Sequence, residues 1–215
     1  MNTVIEWYRN GGMVMNFILA VAVIGLAVFI ERFYTIVIKS KINGRAFIDR
    51  VVQLVRAGKI DDAIKLCAQS KAALPDMGLL ILRSRTRDEG DLQNVADAAS
   101  LSVIPRLTRR LQYLPMLANV STLLGLLGTI FGLRHAFAAV SAASASATER
   151  SQQLAAGFAV ALNATGFGLM VAVPLSVAHA YLVSQAETII EQVDEFSVRL
   201  INALVDRPDV RLGHR

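Results

Sequence analysis

Cysteine is almost absent from this chain: Cys67 stands alone among 215 residues. No internal disulfide is possible, and a single thiol reads as a small core side chain rather than a redox or metal centre. Charge is scarce as well. Asp, Glu, Lys and Arg make up 18% of the sequence, against about a quarter in a soluble domain. The shortfall is concentrated in segments 10–30, 111–133 and 151–186, which hold no charged residue at all. Each supplies the roughly 20 apolar residues that carry a helix across a bilayer. The third is longer than the hydrocarbon core is thick, so it is expected to tilt or to run past the membrane. The first does not read as a cleaved signal peptide. It lacks a basic n-region and leads into Glu31-Arg32-Phe33 rather than a small-residue cleavage site.

Further absences remove whole classes of chemistry. His135, His179 and His214 are scattered, and with one cysteine there is no metal-ligand spacing. No nucleophile–base constellation is visible. The glycines of segment 125–132 precede no Lys-Ser or Lys-Thr and follow no strand, so a phosphate loop is excluded. The chain reads as a non-enzyme with no catalytic residue, no metal and no cofactor. One absence matters most: no Asp or Glu lies at the centre of any span. Proton transfer through a membrane needs a titratable group on the path. Only His179 qualifies, toward one end of the third span, while Arg134 and His135 sit at an end of the second. If protons cross here, the central acid belongs to another polypeptide.

The net charge of +5 and pI near 9.7 raise nucleic acid as a partner, but the distribution points to a lipid bilayer instead. Basic residues cluster just after the first span (Lys39, Lys41, Arg45, Arg50, Arg56, Lys59) and just before the second (Arg106, Arg109, Arg110). That is the positive-inside pattern. It places 39–112 in the cytoplasm, 1–12 and the short 141–151 loop outside, and the 185–215 tail inside, where Arg199, Arg207, Arg211 and Arg215 agree.

The expected fold is all-α, a polytopic membrane helical bundle. Its three transmembrane helices are 13–38, 113–140 and 152–184, the second and third extended into the cytoplasm. Trp7 and Tyr8 suit an interfacial anchor. Glu31 and Arg32 either pair with neighbours or snorkel. In the connector, apolar residues at 47, 48, 51, 52, 54 and 55 have helical spacing, with Gly58 as a stop. A short helix over 61–70 follows. Pro75 and Gly78 are expected to mark a turn, then an amphipathic helix over 79–87. From Asp91 a helical pattern through Ala96, Ala99, Val103 and Leu107 is expected to run without a break into span two, kinked at Pro105 or Pro115. Ile189, Ile190, Val193, Phe196, Leu200, Ile201 and Leu204 carry span three onward as one helix. The Ala/Ser loop before it is weakly informative.

What the spans do contain is small and slightly polar. Gly125, Gly128 and Gly132 fall at i, i+3 and i+7 and share one helix face. With Gly157 and Gly168 on the third span they are candidate helix-packing residues, because a face without side chains lets another helix come close. The polar groups are Asn119, Ser121, Thr122 and Thr129 in span two, and Asn163, Thr165, Ser176 and His179 in span three. Polar side chains at membrane depth face protein or a water cavity. For Thr129 and Thr165 a back-bond to the i−4 carbonyl competes with a place on an ion path. Asn163 has a costlier amide to satisfy, which points to a bond between helices.

The segment Thr122-Leu-Leu-Gly-Leu-Leu-Gly-Thr-Ile-Phe-Gly-Leu-Arg-His-Ala-Phe137 resembles the second membrane helix of the MotA/TolQ/ExbB proton-channel family, three-span ExbB/TolQ branch. The segment Gly157-Phe-Ala-Val-Ala-Leu-Asn-Ala-Thr-Gly-Phe-Gly-Leu-Met-Val-Ala-Val-Pro174 resembles the third, and Phe29-Ile-Glu-Arg32 the end of the first. The order matches and the resemblance covers the membrane part; the connector is similar only in size and helical character. The resemblance implies a homo-pentameric ring in the bacterial inner membrane, N-terminus periplasmic and C-terminus cytoplasmic. The ring surrounds an ExbD/TolR-like single-span partner whose membrane Asp takes the proton. Proton-motive force then becomes mechanical work on a TonB/TolA-like protein or on motility machinery, gliding or adhesion. The family's pore threonines map onto Thr129 and Thr165, with Asn163 beside them as a third candidate for the ion path. One departure stands out: Val160 occupies the position of the glutamate usual in ExbB and TolQ. It motivates an alternative, a ring that scaffolds a partner without conducting. A small-molecule transporter is disfavoured, since no charged group at mid-membrane is present to bind a substrate.

Overall fold

The computed structural model describes residues 12–40, 44–70, 72–84, 86, 88–141 and 146–206. Among them every regular element is helical. Helix α1 (Val14–Phe33) passes into a π-helical turn, Tyr34–Ile38; then come α2 (Gly44–Arg56), α3 (Ile60–Ala68), α4 (Ala73–Arg83), α5 (Glu89–Thr108), α6 (Tyr113–Ser141) and the 59-residue α7 (Ala147–Val205). Three stretches are long and apolar enough to cross a membrane: Val14–Ile38, Glu89–Ser141 and Ala147–Val205. The all-α, three-span expectation therefore holds. Trp7, Tyr8, Lys41, His214 and the arginines beyond 206 lie outside the described residues.

The chain divides into two compact units. One comprises Met1–Glu31 and Arg110–Tyr181, the other Arg32–Arg109 and Leu182–Arg215. In the first unit α6 buries Leu114, Leu117, Ala118, Ser121, Gly125, Gly128, Gly132 and Ala136, a strict three-and-four spacing along one face. Facing it, α7 buries Gly157, Ala161, Ala164 and Gly168. From α1, Val14, Met15 and Ile18 pack on Phe167 of α7. The outward residues are large and apolar, among them Leu123, Leu126, Ile130, Leu162, Val173 and Val177, as a lipid-facing or neighbour-facing surface requires.

In the second unit the helices are amphipathic in the ordinary aqueous sense. Ile48, Val51, Val52 and Val55 form the inner stripe of α2; Ala63 and Cys67 come from α3, Leu74, Met77 and Ile81 from α4, Leu92, Ala96, Ala99, Val103 and Leu107 from α5, and Val193, Phe196, Leu200 and Ile201 from the end of α7. The Phe47 and Phe196 rings meet edge to face, centroids 6.0 Å apart. Gly58, at φ +80°, turns the chain out of α2. Asp88 caps α5 by accepting from the Gly90 and Asp91 amides at 3.1 and 3.3 Å.

Two local expectations are corrected. Pro75 and Gly78 mark no turn: both lie inside α4, which ends at Arg83 rather than 87. Proline is tolerated there because the first turn of a helix has no intrahelical partner for its missing N–H. Gly78 makes room for the Phe196 ring, since a Cβ on it would stand 2.8 Å from that ring. Next, α5 and α6 are separate helices. The chain turns over 109–112, with Arg110 at φ 65° and the Arg109 amide donating back to the Pro105 carbonyl. Helix α7 begins at Ala147, where Ser146 and Glu149 form a reciprocal capping box.

Candidate functional site

The candidate site lies in the first unit, where α6 and α7 approach at backbone distance. A Cβ on Gly168 would stand 2.8 Å from the Ser121 carbonyl oxygen, and one on Gly132 would stand 2.9 Å from the Ala161 backbone nitrogen. Cβ atoms on Gly128 and Gly157 would overlap the methyls of Ala164 and Ala136. On Gly125 the fit is tighter than ordinary contact, 3.2 Å from the Thr165 Cα. All five glycines singled out in the sequence thus sit in one interface, and most of them admit no larger residue without the helices moving apart.

Two hydroxyls cross this interface in opposite directions. Ser121 Oγ on α6 donates to the Gly168 carbonyl on α7 at 3.0 Å. Thr165 Oγ1 on α7 donates to the Gly125 carbonyl on α6 at 3.1 Å. The glycines expose the carbonyls, and the small hydroxyl residues reach them. Thr129 behaves differently: its Oγ1 donates to the Leu126 carbonyl within its own helix. Thr122 does the same to Ala118 at 3.1 Å. So Thr129 makes a local back-bond, to the i−3 rather than the expected i−4 carbonyl, while Thr165 makes a bond between helices. Asn163 is half-buried one residue before Ala164; the α6–α7 hydrogen bonds come from Ser121 and Thr165.

Sequence reasoning noted Ser121 without ranking it as a site residue. The signal was present: Ser121 lies four positions before Gly125 on the same small-residue stripe. The Ser146–Glu149 capping box was likewise legible as Ser-x-x-Glu.

At the Gly132 end of the interface an apolar cavity of about 490 Å³ is lined by Val14, Phe17, Phe131 and Val160, with Arg134 and His135 on its wall. The Arg134 guanidinium lies 5.9 Å from the Phe131 ring centroid, over its face. Toward the end of α1 Glu31 is paired with Arg110 at 2.7 Å, which answers how that end accommodates its carboxylate. His179 is half-buried, and its Nδ1 has no hydrogen-bond partner among the described residues. No cluster of three or more His, Cys, Asp or Glu that could hold a metal ion occurs among the described residues.

The sequence model of the MotA/TolQ/ExbB proton channel family matches residues 60–195. This chain belongs to that family. It is 23% identical over 192 residues to an ExbB homolog of Methanothermobacter thermautotrophicus, covering 89% of this chain and 67% of that protein. It is 37% identical over 101 residues to the Tol-Pal system protein TolQ of Haemophilus influenzae, covering 45% of this chain and 43% of TolQ. Over 74 residues it is 45% identical to the biopolymer transport protein exbB1 of Vibrio cholerae, 34% of this chain and 31% of that one. The chain thus aligns with less than half the length of the TolQ and exbB1 relatives. In three dimensions it resembles the C. jejuni MotAB structure at TM-score 0.67 and 12% identity, over 95% of this chain and 82% of that one. At that identity the likeness is one of fold. As a MotA/TolQ/ExbB family protein, the chain is a membrane subunit of the proton-channel type, and its α6–α7 interface lies largely within the matched region.

Proposed function

We propose that this chain is the ring-forming, proton-conducting stator subunit of an inner-membrane motor. In this reading it forms a homo-pentamer with a periplasmic N-terminus and cytoplasmic C-terminus. The ring encloses an ExbD/TolR-like single-span partner bearing a membrane Asp, and it passes work to a TonB/TolA-like protein or to motility machinery. The chain is not an enzyme in this reading and needs no cofactor. The observation that carries it is a complementarity. The spans offer hydroxyls on a smooth α6–α7 surface but no carboxylate at their centres, so in this reading the proton carrier comes from a second chain.

The hydroxyl geometry says what Thr129 and Thr165 offer such a carrier. Their protons are engaged by the Leu126 and Gly125 carbonyls, which leaves oxygen lone pairs as acceptors. A protonated carboxylic acid donates to such an oxygen; a carboxylate gains nothing from it. Both threonines therefore favour the neutral acid, the form that crosses an apolar bundle at low desolvation cost. In this reading Asn163, with an amide that donates as well as accepts, is a third candidate for the path.

Val160 favours a second reading, a scaffold that does not conduct. It lines the apolar cavity beside Phe17 and Phe131, and that wall provides no carboxylate where ExbB and TolQ relatives usually carry one. Proton flux into proteoliposomes, measured with and without the partner, separates the two. Flux that appears only with the partner and disappears in Thr129→Val is expected. Flux equal to empty vesicles in the presence of an assembled partner would establish the scaffold.

A further inference from the structure

The second unit contains a cavity of about 480 Å³ whose wall carries Lys39, Arg83 and Arg106 against one carboxylate, Asp76. The carboxylate is already engaged, since Arg106 Nη1 donates to Asp76 Oδ2 at 3.3 Å. Lys39 and Arg83 have no carboxylate partner among the described residues. The cavity is therefore electropositive after its internal pair is counted. Ala73 brings the first turn of α4 to the same wall, and that helix has no side-chain N-cap. Its positive end adds to the three cations.

Two cations without a carboxylate partner and a third paired with Asp76, on the wall of one concave, partly polar site, suit a phosphate, which accepts several charge-assisted hydrogen bonds at once. The place in the chain indicates where that phosphate comes from. Lys39 is the first residue after the apolar stretch Val14–Ile38. Arg106 lies shortly before Leu111, where the second uncharged segment begins. The connector leaves and re-enters the bilayer on one face, so both cations stand at the level of the headgroups, where basic residues gain from anionic lipid. We infer that this cavity is a phosphate-binding site and that its ligand is the headgroup of an anionic phospholipid. Occupancy would tie α4 and α5 to the end of the first span.

The test is native mass spectrometry of the full-length protein in detergent, titrated with phosphatidylglycerol, phosphatidylcholine or inorganic phosphate. Phosphatidylglycerol is expected to bind in preference to phosphatidylcholine. The Lys39→Gln/Arg83→Gln variant should lose about 25-fold in phosphatidylglycerol affinity, from about fivefold per basic residue. Arg45→Gln/Arg50→Gln, which removes the same charge from α2, should lose none. Lys39, Arg83, Arg45 and Arg50 are all exposed, so all variants should keep the unfolding midpoint of the parent in lipid-free detergent. Equal retention of the two lipids, or equal loss in both double variants, overturns the site. Inorganic phosphate binding as tightly as phosphatidylglycerol overturns the headgroup assignment.

Discussion

In the unit containing α6 and the first part of α7, the residues at the centre of the interface are Gly125, Gly128, Gly132, Ala161, Ala164 and Ser121. In the unit containing α2 to α5, the corresponding places are held by Ile48, Val51, Met77, Ile81, Leu92 and Phe196. Both are helical bundles, and both follow the three-and-four spacing. The difference follows from the solvent. In water, burying a large apolar side chain is itself the driving force. Lipid tails are as apolar as leucine, so a membrane interface gains nothing by hiding leucine and forms through close backbone contact and hydrogen bonds. Leucine, isoleucine and phenylalanine accordingly move to the outside of α6, where Leu123, Leu126, Ile130 and Phe131 are exposed.

If that contrast is right, substitutions of opposite sense should damage the two units. Removing volume should hurt the second unit: Phe196→Ala empties a site touched by Phe47 and Gly78 and is expected to cost about 3–5 kcal/mol. Adding volume should hurt the first: Gly128→Ala places a methyl against the Ala164 methyl and is expected to cost about 1–3 kcal/mol. Hydrogen exchange read by peptide reports the two separately. Phe196→Ala should raise exchange in α2 to α5, and Gly128→Ala in α6 and the first part of α7. Tolerance of Gly128→Ala without any change would break the comparison.

A smaller effect distinguishes the two threonines. Thr165→Val removes a hydrogen bond between helices, worth about 0.6–2 kcal/mol in a membrane, while Thr165→Ser keeps it. Thr129→Val removes only a back-bond within α6 and should leave the unfolding midpoint in detergent unchanged. Loss of proton flux in Thr165→Val therefore mixes a weakened interface with a lost acceptor, and Thr129→Val is the clean probe of the path. A lower midpoint for Thr129→Val would assign that hydroxyl a packing role as well.

The same physics decided what could be read from the chain alone. The spans were legible because absence of charge over 10–30, 111–133 and 151–186 is a one-dimensional property. The glycine stripe was legible because helical periodicity places 125, 128 and 132 on one face whatever the partner is. The partner of each hydroxyl was not legible: Thr129 and Thr165 both stand beside a glycine in an apolar span but differ in whether a carbonyl of the neighbouring helix lies within reach. That depends on which helix a glycine brings close. Pro75 and Gly78 misled for a related reason. As local symbols they read as punctuation, whereas Phe196, far along the chain, makes Gly78 a packing residue inside α4. The turn at Arg110 left no proline or glycine signal at that position, so α5 and α6 looked continuous.

The ionisation of Cys67 has no effect on stability below about pH 9, and there the reactivity of its thiol is the sharpest test of how dry the second unit is. It is fully buried in the core formed by α2 to α5 and the end of α7, and a Cβ on Gly78 would sit 3.0 Å from its sulfur. Burial pushes the thiol up from 9.0 to about 12, because the thiolate would lose its hydration. The protonated form is thus favoured in the folded state. Below about pH 9 neither state is ionised and stability is unaffected. As pH rises from 9.0 toward about 12 the unfolded chain sheds a proton that the folded chain keeps, so stability falls with pH across that window. Cys67→Ala should flatten this alkaline loss. At pH 8 a maleimide should label the native protein far more slowly than the unfolded one, and Phe196→Ala should close part of that gap by opening the same core. Prompt labelling of the native protein at pH 8 would mean that water reaches Cys67, and that the second unit is not the dry, volume-packed core on which the contrast with α6 and α7 depends.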